Sequence, residues 1–158
     1  MNYTEYREQR EKEMNELPIF WAFSTEQFME EMKKRTRATT VEGAAKLVYR
    51  FGNGGFYLKT DAQKVRDYFN KPDPLSELMK DYNFAFDAIL YEMNNHEYAI
   101  NWQADWDVCS CFGHVEYSDT EDELERYFNE LNWSDTTRKA YLDARREHRK
   151  MADENEWF

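Results

Sequence analysis

The stretch "NNHEYAINWQADWDVCSCFGH", Asn94 to His114, gathers two histidines, two cysteines, three acids and two tryptophans into 21 residues. Three chemistries can use such a set. The first is zinc, which prefers soft thiolates and imidazoles. Cys109, Cys111 and His114 read as Cys-x-Cys-x2-His, with His96 available as a fourth ligand. A Cys-x-Cys step is a poor knuckle, because neighbouring side chains two apart on a helix or strand point to different sides. The second is a hard cation such as magnesium, held by carboxylates from Glu92, Glu97, Asp105 and Asp107. Asp105 and Asp107 align their carboxylates only if that segment is extended. The third is a thiolate nucleophile, Cys109 or Cys111 activated by His96 or His114. Each competes with a plain structural reading, in which the cysteines are small buried hydrophobes and the acids are caps and solvated surface.

Positioning these groups is the task of the surrounding elements. Upstream, Leu75, Leu78, Met79, Tyr82, Phe86, Ile89, Leu90 and Met93 recur at the 3, 4 spacing of a buried helix face. Within the stretch, Glu97 to Trp102 alternates as a strand. Residues 105–112 suggest a short helix or turn that stops at Gly113. Elsewhere, residues 3–16 read as a charged helix ended by Pro18. Four sites carry capping signals: Ser24–Gln27, Thr60–Gln63, Ser118–Glu121 and Ser134. "KLVYRFGNGGFYLKT" reads as a hairpin turning at Gly52–Gly55. Its glycines lack the Gly-Lys-Ser/Thr ending of a phosphate loop. The last helix, after Ser134, carries Ala140, Tyr141, Ala144, His148 and Met151 on one side, and the tail aromatics Trp157 and Phe158 are expected to dock back on the domain.

These elements predict an α+β fold. Five to six helices surround a small antiparallel sheet, made of the hairpin 46–59 and a strand near 97–102. The 158 residues fit one domain over 1–158, with 1–16 as a helix able to detach. Aliphatic residues are few, so the core must rely on 11 Tyr, 11 Phe, 5 Trp and 7 Met. The charged N-terminus, the lack of a long apolar run and the two closely spaced cysteines suggest a reduced, cytoplasmic protein with no membrane span and no disulfide framework.

Net charge is −11, and it is localised. Residues 81–130 hold thirteen acids against Arg126 alone, a segment charge of −12. Such a field repels phosphate and attracts basic protein surfaces, so direct nucleic-acid binding is not expected.

The segments "ELPIFWAFSTEQFMEEMKK", "GNGGFYLKTD", "YEMNNHEYAINWQADWDVCSCFG" and "ARREHRKMADENEWF" occur in an order that resembles a family of small uncharacterised proteins encoded by bacteriophages, plasmids and other mobile elements of bacteria. The resemblance spans about residues 17 to 158. It carries no activity or catalytic residues. It implies a protein-binding accessory factor, an anti-CRISPR-like inhibitor of a host defence system that occludes a basic nucleic-acid-binding surface. The expected partner-binding residues are Asp105, Asp107, Glu116, Asp119, Glu121, Asp122 and Glu123, with Trp106 or Trp133 as anchor. The alternative is a small metal-dependent enzyme or zinc-stabilised domain centred on residues 92–114. No cofactor is expected on the first reading.

Overall fold

A computed structural model of the protein describes residues 1–157. It contains helices and a small three-stranded antiparallel sheet, in agreement with an α+β class. The chain packs as two compact units, Arg7–Pro72 and the pair of segments Met1–Tyr6 and Asp73–Phe158. Helix α1 (Tyr3–Glu16) buries Tyr3 and Tyr6 in the larger unit, because two phenol rings bring more apolar area than the charged turns that follow.

The smaller unit contains the sheet. Strands β2 (Val48–Phe51) and β3 (Gly55–Leu58) form the expected hairpin, and β1 (Phe20–Trp21) pairs with the other edge of β3. In register, Phe20 faces Phe56 and Trp21 faces Gly55. The turn uses Gly54 at φ 88°, where a Cβ would also strike the Phe23 ring. Helix α2 (Thr25–Arg35) lays Phe28 and Met32 against Phe20 and Ala22. Ser24 caps it by accepting from the Gln27 N–H, while Gln27 Oε1 accepts from the Phe23 N–H. The unit is completed by α3 (Val41–Ala45), capped by Thr40, and by α4 (Ala62–Asn70), which follows a 3-10 turn. Thr60 and Asp61 supply no side-chain cap there.

The larger unit is helical: α5 (Leu75–Leu78), α6 (Tyr82–Asn95), α7 (Ala104–Ser110), α8 (Glu123–Glu130) and α9 (Asp135–Glu154). The most extensive helix pairing is α6 on α9. It is close because both helices bury alanines, Ala85 and Ala88 on one, Ala140 and Ala144 on the other.

The strand expected near 97–102 does not form. The third strand is β1, and the segment after α6 is a run of turns. His96 closes the helix by donating its N–H to the Glu92 carbonyl, and Glu97 turns left-handed at φ 51°. Ile100 and Asn101 then donate back to the Glu97 carbonyl, so the backbone is satisfied locally and no ladder partner is needed. Of the alternating apolar residues only Tyr98 is buried.

There are also more helical segments than five or six. α3 is a further short helix, and the long stripe beginning at Leu75 is broken before Tyr82, where Asp81 caps α6 by accepting from the Phe84 N–H. α8 starts at Glu123, later than its capping signal. Ser118 is used otherwise: its N–H donates to Tyr127 Oη, and Tyr127 donates to its carbonyl. Among the described residues, no helix is long and apolar enough to cross a membrane. Of the two tail aromatics, Trp157 stacks near His148 at 5.6 Å between ring centroids, and Phe158 lies outside the described residues.

Candidate functional site

The zinc candidates do not converge as one group. Cys109 is fully buried in the core of the larger unit, and burial together with the nearby Asp105 pushes its thiol far above the ordinary range. His114 is on the surface beside Glu116, its Nε2 3.4 Å from Oε1. The two cysteines point apart, as a two-residue step on a helix requires.

A different set does converge. Glu92 lies in the last turn of α6, His96 caps that helix, and Cys111 caps α7. Cys111 Sγ is 3.3 Å from Glu92 Oε2 and 3.4 Å from His96 Nε2, and Nε2 is 3.3 Å from the same Oε2. The Asp107 carbonyl is a further 3.3 Å neighbour of the thiol. The Glu92 carboxylate is oriented from behind by the Tyr3 hydroxyl, which donates to Oε1 at 2.9 Å. Glu92 is buried, His96 and Cys111 are half-buried. Burial, then the Glu92 charge, pushes the Cys111 thiol up to about 12, so without a cation it is protonated at neutral pH. The i, i+4 spacing of Glu92 and His96 was readable in the sequence. Their pairing with Cys111 needed the tertiary contact of α6 with α7.

Asp105 and Asp107, expected at a partner interface, are half-buried and engaged internally. Asp105 Oδ1 accepts from Tyr98 Oη at 2.6 Å and from Tyr141 Oη, and burial, with the Asp105 charge adding to it, holds both phenols well above their usual titration range. Asp107 accepts from Asn101 Nδ2 at 2.6 Å. Both acids therefore anchor the turns of residues 97–103 to the helices.

The remaining expected acids are mostly on the surface. Glu116, Asp119, Glu121 and Asp122 are exposed, and Glu123 is half-buried, its pKa raised by desolvation and then by Asp105 and Asp119. Arg126 is already paired with Asp122 at 3.2 Å. Trp133 belongs to the core, its ring tilted against those of Phe128 and Tyr141. Trp106 is partly buried and donates its indole N–H to the Val115 carbonyl at 3.0 Å. Sequence reasoning missed the most exposed tryptophan among the described residues. Trp102 is 82% exposed. It meets Tyr117 edge-on at 6.4 Å, and Tyr117 meets Trp106 edge-on at 5.8 Å. Only burial separates these tryptophans, and local spacing does not encode it.

No curated protein and no solved structure matches the chain. A family model described as a family of unknown function, DUF7659, matches residues 2–145. Since that covers most of its length, the chain belongs to the DUF7659 family.

Proposed function

We propose that the protein works by binding a basic protein surface, as an accessory factor of a phage or mobile element that inhibits a host defence system. In the anti-CRISPR-like form of this reading, it occludes a surface that would otherwise hold nucleic acid. The observation that carries it is the exposed Trp102–Tyr117 pair, together with the exposed acids Glu116, Asp119, Glu121 and Asp122 in the same stretch of chain as Tyr117. An exposed tryptophan held by a second ring is a preordered anchor. The acids of that stretch impose the sign of the partner and accelerate encounter. This arrangement replaces Trp106 and Trp133 as anchors, and leaves Asp105 and Asp107 as supports.

The test is capture of partners from bacterial cells with the tagged full chain, followed by binding measurements on the captured protein. Trp102→Ala is expected to weaken binding by roughly 30-fold, corresponding to about 2 kcal/mol. Charge reversal at Asp119, Glu121 and Asp122 together should abolish binding, and added salt should weaken the wild type. Nucleic acid should compete for the partner. Affinity indifferent to both sets of changes sinks the reading. A small metal-dependent enzyme, the second reading, has its own observation in favour: the convergence of Glu92, His96 and Cys111.

A further inference from the structure

We propose that Glu92 Oε2, His96 Nε2 and Cys111 Sγ are three ligands of a zinc ion, with the fourth coordination position left to a water molecule or a substrate group. The site is independent of the acidic surface and of any partner.

The argument starts from shape. Zinc bonds of about 2.0–2.3 Å at tetrahedral angles set ligand atoms roughly 3.3–3.6 Å apart. The three edges here are 3.3, 3.4 and 3.3 Å, with a different ligand type at each corner. All three atoms meet in one place because Glu92 and His96 share a helix face one turn apart and Cys111 ends the neighbouring helix.

Proton counting gives the second argument. Four short contacts meet at this point: thiol to carboxylate, thiol to imidazole, thiol to the Asp107 carbonyl, and imidazole to carboxylate. The thiol carries one proton and Nε2 at most one. Two protons can serve four contacts only through shared, three-centre bonds, so the acceptors compete for them in a partly buried site. A dication removes that conflict. With a thiolate, a carboxylate and a neutral imidazole, its charge is balanced by the ligands themselves.

Donor chemistry then selects the metal. Sulfur and imidazole nitrogen disfavour magnesium and calcium and suit zinc. The α6 C-terminus adds the negative end of its dipole. The Tyr3 hydroxyl on Oε1 leaves Oε2 turned to the other two ligands, which is the role of an outer partner in metal sites. His96, with its side chain one-third exposed, provides the entry side. Three protein ligands with one open position is the pattern of zinc sites that bind an exchangeable group.

The experiment uses the reduced full chain, stripped with a chelator and titrated with cobalt(II) and then zinc. One cobalt per chain is expected, with a thiolate-to-cobalt charge-transfer band in the near ultraviolet that zinc displaces. Cys111→Ser and Cys111→Ala should lose the band, while Cys109→Ala and His114→Gln keep it. His96→Gln should weaken cobalt binding at least tenfold. Zinc should raise the melting temperature of the wild type but not of the Cys111 variants, each compared with its own metal-free form, so a merely less stable variant still reports. A folded wild type with no charge-transfer band overturns the proposal. So does a band that survives in both Cys111 variants or disappears in Cys109→Ala.

Discussion

At the scale of single residues, buried polar groups here are placed by specific partners, and their loss has a defined cost. Asp105 accepts two phenol hydroxyls, one from fully buried Tyr141. Asp105→Ala leaves both without their acceptor and is expected to cost about 3 kcal/mol in urea unfolding, more than a single neutral hydrogen bond. His148 is 1% exposed. Its Nε2 accepts the Ala99 N–H at 3.1 Å, which fixes the imidazole as the Nδ1–H form, donating to Asn94 Oδ1 at 2.7 Å. Burial, with Arg149 adding to it, lowers the His148 pKa from the ordinary 6.5. The unfolded chain therefore binds the proton first. The stability that His148 contributes is complete above about pH 6.5 and is lost as pH falls from there toward the lowered folded value. His148→Phe should lower stability at pH 7 by about 1–3 kcal/mol through the orphaned Ala99 N–H, and should flatten that limb of the pH–stability curve.

At the scale of elements, the helices are held by small residues as much as by large ones. Ala85 and Ala88 on α6 and Ala140 and Ala144 on α9 have no exposed surface. Ala144→Leu adds volume where none is free and is expected to cost about 1–3 kcal/mol in chemical denaturation, against near neutrality for a Leu at the exposed Arg146. Caps set the boundaries. Ser24→Ala removes the acceptor of the Gln27 N–H and should cost about 1 kcal/mol. Ser24 and Ser134 were legible as caps because a polar residue stood directly before an apolar periodicity. Ser118 carries the same signal but caps no helix, since the Tyr127 hydroxyl, 9 residues further along, engages its backbone instead. The hairpin was legible from its glycines. The two-residue β1 was not, because Phe20–Trp21 is too short to show a period, and the alternation at 97–102 imitated the strand that was missing.

At the scale of the whole molecule, the governing quantity is charge. Net charge is −11, and the seven acids of residues 116–130 have Arg126 as their only cation in that segment. Their mutual repulsion opposes folding and is screened by salt. The melting temperature is expected to rise between low and physiological ionic strength, by about 2–4 °C for each kcal/mol of repulsion relieved. Glu121→Gln with Glu125→Gln should raise it at low salt and have little effect at high salt. A melting temperature that falls with added salt would contradict this account.

The sequence by itself determined the helix-dominated α+β class, the hairpin, the main caps and the uneven charge, because each is written in local spacing or in composition. It also put Glu92 and His96 one helical turn apart. Only the tertiary structure decided that Cys111, and not Cys109, meets them, that Trp102 faces solvent while Trp133 is core, and that Asp105 holds phenols together. Those outcomes depend on which helix ends and faces are brought into contact across long sequence separations. The stretch from Asn94 to His114 offered its ligands in plain view, and packing chose among them.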